Sequence, residues 1–209
     1  MNARDVLLDE ARNHNNWKRT CKKKYDIWMC MPGPGKNVTN FLEGSHYVTN
    51  ENKPFVLSGT MGECWTVDAK KLFKTYRLFG GQPLTVDYLK GKMVNGKLDW
   101  IHLETLADGQ VNWAFFLNPR KYGVQAVTNF PVQTSWGETL LANRPEVKHG
   151  MGDFLVCTDN NGLPNFNDMW VVNGAIFPNT YDMRAFPGLT GGQMKQGRQA
   201  TPRPNTRVL

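Results

Sequence analysis

The alternation of apolar and polar residues divides the chain into short strands and a few short helices. Residues 3–13 carry Val6, Leu7 and Ala11 on one side and predict a short helix. Tyr25-Asp26-Ile27-Trp28-Met29-Cys30-Met31 is rich in strand formers and stops at Pro32-Gly33-Pro34-Gly35. Pro54-Phe55-Val56-Leu57 predicts a strand, Ser58 to Glu63 its turn, and Cys64-Trp65-Thr66-Val67 the returning partner. Asp68 then stands where an N-cap belongs, ahead of a helix of roughly two turns that ends at Tyr76. Asn95-Gly96 and Asp108-Gly109 signal tight hairpins, the second between Trp100-Ile101-His102-Leu103 and the run Val111 to Leu117. From Pro187 onward the periodicity gives way to Gly, Gln, Pro, Arg and Thr, the composition of an extended arm.

The most specific prediction of the sequence is an internal duplication. The block from Trp65 to Tyr76 aligns without gaps on the block from Trp170 to Tyr181 at an offset of 105, with Trp, Val, Thr and Tyr identical. Asp68 becomes Asn173 at the capping position, and Leu72 becomes Phe177 at a core position. An apolar strand precedes each block, Phe55-Val56-Leu57 in one and Phe154-Leu155-Val156 in the other. Trp65, Val67, Leu72 and Tyr76, with Trp170, Val172, Phe177 and Tyr181, are thus expected to form two equivalent small cores. The alternative is that the Trp and Tyr pairs line two binding pockets.

These elements predict an α+β fold, mostly β, with two strand-turn-strand-helix units joined by β-hairpins and flanked by extended N- and C-terminal arms. The boundaries expected are a basic segment over 1–24 with a short helix, a first unit over 25–80, a hairpin connector over 81–121, a second unit over 122–186 and a basic arm over 187–209.

Ser58-Gly59-Thr60-Met61-Gly62-Glu63-Cys64-Trp65-Thr66-Val67, followed by a helix ending in Tyr76, resembles the C-terminal signature of the small phage and bacterial PGDYG-type domains. Gly152-Asp153-Phe154-Leu155-Val156 is similar to the G-D-[YFW]-[LI]-V strand of the same group, and Phe177 and Tyr181 match its closing F-x-x-x-Y. Thr66 stands where that pattern has Pro, the first copy lacks the G-D pair and the second lacks G-E. The resemblance covers residues 25–80 and 122–185 and implies a bacteriophage source and a fold, without a specific chemistry.

Charge sharpens the picture. The net +7 is concentrated at the ends: residues 1–24 hold seven Lys/Arg against three Asp/Glu, and residues 182–209 hold five against one, around a nearly neutral middle. Lys18, Arg19, Lys22, Lys23 and Lys24 form the densest cluster, between Trp17 and Tyr25, and Arg198, Arg203 and Arg207 punctuate the tail. Both read as contacts for an acidic partner or nucleic acid, or as solvated approaches to the folded part. Cys21, Cys30, Cys64 and Cys157 make no C-x-x-C pair, and the four His fall at no ligand spacing, so neither a metal nor any other cofactor is expected. No apolar run reaches the about 18 residues of a membrane span.

Glu63 is the carboxylate embedded in a motif, with turn-amide acceptance as its expected task and acid–base chemistry as the alternative. With no catalytic residues to name, the expected function is that of a non-catalytic phage virion component, contacting itself or other structural subunits through its terminal arms. Alternatives are an intracellular phage accessory protein in the host cytoplasm, binding host protein or nucleic acid through its basic ends, and an enzyme whose site only folding assembles.

Overall fold

The structure, a computed structural model, describes residues 2–42, 44–106, 109–143, 152–189 and 203–204. In chain order the elements are α1 (Ala3–Arg12), β1 (Lys18–Cys21), β2 (Asp26–Met31), β3 (Asn37–Asn40), β4 (Ser45–Val48), β5 (Phe55–Ser58), β6 (Cys64–Val67), α2 (Ala69–Thr75), β7 (Tyr76–Leu78), α3 (Val86–Lys92) and β8 (Leu98–Thr105). There follow β9 (Val111–Phe116), α4 (Pro119–Tyr122), α5 (Val124–Val127), β10 (Phe130–Gln133), β11 (Thr139–Ala142), β12 (Phe154–Asn160), β13 (Leu163–Val172) and α6 (Phe177–Thr180). The fold is α+β, mostly β, and its sheets are antiparallel. Two compact units divide the chain. The central unit takes residues 24–106 with 203–204; the split unit takes residues 2–23 with 109–189.

In the central unit five strands run in the order β6-β5-β2-β8-β7. The turn from β5 to β6 closes through Gly59 N donating to Glu63 O at 2.9 Å, and Gly62 supplies a left-handed φ of +81°. Asp68 caps α2, its Oδ1 accepting from Lys71 N at 2.7 Å. The helix buries Leu72 on one sheet face, among Met29, Leu57, Val67, Tyr76 and Leu103. The opposite face carries Cys30, Val56, Cys64 and Trp100, covered by Val38 and Tyr47 of the β3–β4 hairpin.

The split unit is built on a four-stranded sheet in the order β1-β9-β12-β13. One face packs Ala114, Phe154 and Val156 against Phe177, Tyr181 and Phe186, with the Phe154 and Phe177 rings stacked at 3.8 Å. The other face packs Trp17, Phe115 and Leu155 against Leu7 of α1, Tyr122 and Val127 of α4 and α5, and Phe130 of β10. Gly152 is required by contact: a Cβ there would lie 2.1 Å from Leu117 O. Asp153 beside it accepts from Asn143 N at 2.7 Å and Gly174 N at 3.0 Å, tying three segments together.

Both hairpins share one register. Leu57 faces Trp65 and Phe55 faces Val67 in the central unit; Val156 faces Trp170 and Phe154 faces Val172 in the split unit. Tyr76 pairs with Thr105 of β8, and Tyr181 bridges Lys22, which follows β1.

Several expectations are corrected. The connector over 81–121 is not a hairpin: it holds α3 and β8, and β8 and β9 lie in different sheets. Asp108 itself lies outside the described residues. The N-terminal segment is no extended arm, because Leu7 and Trp17 are buried and β1 belongs to a sheet. Accordingly the units do not follow the boundaries 25–80 and 122–186. Trp65, Trp170 and Val172 are half-buried rather than core, since β6 and β13 are edge strands that leave one flank of each side chain uncovered. Val67, Leu72, Tyr76, Phe177 and Tyr181 are buried. Asn173 does not cap α6; its Oδ1 accepts from Ala175 N at 2.9 Å in a local turn, and the helix begins later, at Phe177, behind Ile176.

Candidate binding cavity

A cavity of about 370 Å³ opens on the central unit between the loop after β2 and the turn before β8. Its floor is apolar, from Cys30, Pro32, Leu98 and Trp100, and its rim carries Lys36, Lys92 and Lys97. The loop is pinned by Thr49, whose Oγ1 donates to Gly33 O at 2.7 Å and accepts from Lys36 N at 2.8 Å. Lys97 follows a tight turn in which Asn95 and Gly96 take φ of 51° and 72°, with Val94 N donating to Lys97 O at 2.8 Å. Lys92 closes α3 and reaches over the Tyr88 ring at 5.8 Å. Asp99, the carboxylate of this rim, is held below the usual aspartate range by the Trp100 amide and then by Arg203, whose Nη2 lies 2.5 Å from Oδ2. The rim therefore presents positive charge above an apolar floor. Burial pushes the Cys30 thiol up to about 12, so it stays protonated and contributes packing, not a nucleophile.

The remaining reactive groups are engaged elsewhere. Glu63 Oε2 accepts from Met61 N at 2.9 Å. Burial, and secondly the charge of Glu63, raise the Tyr25 phenol to about 12; burial also raises the Tyr76 phenol well above its ordinary value. His102 Nε2 lies 2.8 Å from Asp26 Oδ2, while its ring is sandwiched between Trp28 at 4.5 Å and Phe79 at 4.1 Å. Trp28 stands between Ser58 and His102 in the sheet, and two strand spacings of about 4.8 Å keep that hydroxyl from the imidazole, so the three form no triad. Among the described residues no group of three or more His, Cys, Asp or Glu side chains is placed to hold a metal ion.

The basic residues singled out in the sequence are dispersed. Lys18 and Arg19 are exposed on β1, an edge strand. Lys22 carries the bridge to Tyr181, Lys23 Nζ donates to Pro178 O at 2.5 Å, and Lys24 pairs with Glu104 at 2.7 Å. Two of the five side chains, those of Lys23 and Lys24, are thus held by partners of their own chain. Arg203 meets a carboxylate of its own chain, and Arg198 and Arg207 lie outside the described residues. The cavity escapes a linear reading because Lys36 lies more than fifty residues from Lys92 and Lys97. Its one local signal is glycine before each rim lysine, at Gly35-Lys36, Gly91-Lys92 and Gly96-Lys97. Compared with known proteins, the chain matches no family model, no curated protein and no solved structure.

Proposed function

We propose that this chain is a non-catalytic phage assembly protein, built from two diverged copies of one unit, that binds an acidic segment of a neighbouring subunit in the lysine-rimmed cavity. The cavity carries the reading: Lys36, Lys92 and Lys97 surround a floor of Cys30, Pro32, Leu98 and Trp100, a pattern suited to apolar side chains flanked by carboxylates. The two-copy reading draws on the shared register of the two hairpins and on the sequence offset of 105. The phage source draws on the resemblance of residues 58–67 and 152–156 to PGDYG-type domains. The contact thereby moves from the terminal arms to the body of the central unit. Among the described residues no helix is long and apolar enough to cross a membrane.

The test is a titration of the full-length protein with a fluorescein-labelled peptide of alternating Glu and Leu. Charge reversal at Lys36→Glu, Lys92→Glu and Lys97→Glu together is expected to weaken binding by ~10–100-fold, since three exposed ion pairs are each lost and replaced by repulsion. The same reversal at Lys18 and Arg19 is expected to leave binding within about threefold. Equal loss in both variants overturns the assignment of the cavity.

A further inference from the structure

Written as two copies, the chain runs β1-β2-β5-β6-α2-Tyr76 and then β8-β9-β12-β13-α6-Tyr181. In each copy the first two strands are neighbours in sequence, separated by residues 22–25 in one and 106–110 in the other. Linkers of that length ordinarily close a hairpin. Here neither does: β1 pairs with β9, and β8 pairs with β2. The substitution is residue for residue. Lys22 N donates to Gln110 O at 2.8 Å, and Thr105 N donates to Tyr25 O at 2.9 Å. Lys23 N donates to Thr180 O at 2.8 Å, and Leu106 N donates to Thr75 O at 2.8 Å. The same correspondence sets Trp17 against Trp100, Trp28 against Trp113 and Trp65 against Trp170, leaving Trp136 alone of the seven tryptophans without a counterpart.

We propose that the two copies have exchanged their first strands reciprocally, so that the chain is a single-chain form of a strand-swapped dimer. The exchange replaces each hairpin ladder by an equivalent ladder with the other copy's strand, so it is nearly neutral in hydrogen bonds and apolar burial. Its natural partner outside the chain is therefore a second copy of the chain, which offers the same strand in the same register. The inference rests on the two-copy reading and is independent of what fills the lysine-rimmed cavity.

Cys21 and Val111 are opposite one another in the β1–β9 register, and both are half-buried. Directly opposed residues of antiparallel strands have Cα atoms about 4.5–5.5 Å apart, inside the disulfide range. Full-length protein carrying Val111→Cys, oxidised mildly in the native state, is expected to form an intrachain disulfide between Cys21 and the thiol introduced at position 111, read by peptide mass mapping. In a closed hairpin Cys21 would instead face Asp26, and the bond to position 111 would not form. Absence of that bond overturns the exchange while leaving peptide binding by the unoxidised protein as it was. When the same variant is unfolded and refolded at high protein concentration before oxidation, interchain dimers bonded between the same two positions are expected to grow with concentration. Only intrachain bonds at every concentration would overturn the role of a second copy.

Discussion

Arg77 and Glu104 face each other across β7 and β8, with the guanidinium Nε 2.8 Å from Oε1 of a carboxylate that is 2% exposed. Lys24 Nζ reaches the same oxygen at 2.7 Å, so one buried carboxylate ties the start of the central unit to both strands of its far edge. Burial opposes the charge on Glu104, but the hydrogen bonds from Lys24 and Arg77 outweigh it and hold the carboxyl below the usual glutamate range. A depressed folded-state pKa contributes stability that is present above the unfolded value of ~4.3 and is lost as the pH falls through the folded value. Glu104→Gln is expected to cost about 1–3 kcal/mol near neutral pH. That cost should shrink steadily as chemical denaturation is repeated from about pH 6 down to about pH 3. A cost that does not change with pH would mean that the side chain acts by shape alone.

Gly152 meets backbone, which cannot rotate away. Gly152→Ala places a methyl 2.1 Å from Leu117 O and is expected to destabilise by ~1–3 kcal/mol, read as a lower denaturation midpoint. Gly35→Ala, where a Cβ meets nothing within 4 Å, tests only the left-handed φ of +74° and is expected to cost about 1 kcal/mol.

The two edge-strand indoles are half-buried, so Trp65→Ala and Trp170→Ala are expected to fall below the ~3–5 kcal/mol of a fully enclosed Trp. Trp17→Ala and Trp100→Ala, at residues 3% and 6% exposed, are expected to reach that range. Equilibrium unfolding of the four variants checks the order.

Thiol labelling separates the cysteines. Burial raises Cys30 and Cys157 to about 12 and also raises Cys64, whereas Cys21 is half-exposed. Iodoacetamide on the native protein near pH 8 is expected to modify Cys21 first and the other three only on unfolding. Mass spectrometry of tryptic peptides reads the result.

How far the sequence could be read depended on whether a signal was local. The β5-turn-β6-α2 segment was legible because its turn residues, its Asp68 cap and its apolar strands lie within about twenty residues of one another. The second helix was misplaced because Pro178 and the turn at Asn173 delay it to Phe177, although the Asn stands at the same alignment position as the capping Asp. The pairing of β1 with β9 was invisible for a different reason. Val111 to Leu117 has the same strand-forming composition whichever partner it takes, and the Asp108-Gly109 signal favours the sequence neighbour. The cavity needed the fold itself, since it joins a β2 loop, the end of α3 and the turn before β8.

The most direct test of the proposed role is zero-length cross-linking with a carbodiimide on purified phage particles, followed by peptide mass spectrometry. The reagent joins lysine amines to carboxylates already in ion-pair contact. This chain is expected to be present in the particles, with Lys36, Lys92 or Lys97 joined to an Asp or Glu of a neighbouring subunit. Particles that lack the chain, or cross-links from these lysines only to carboxylates of their own chain, would contradict it.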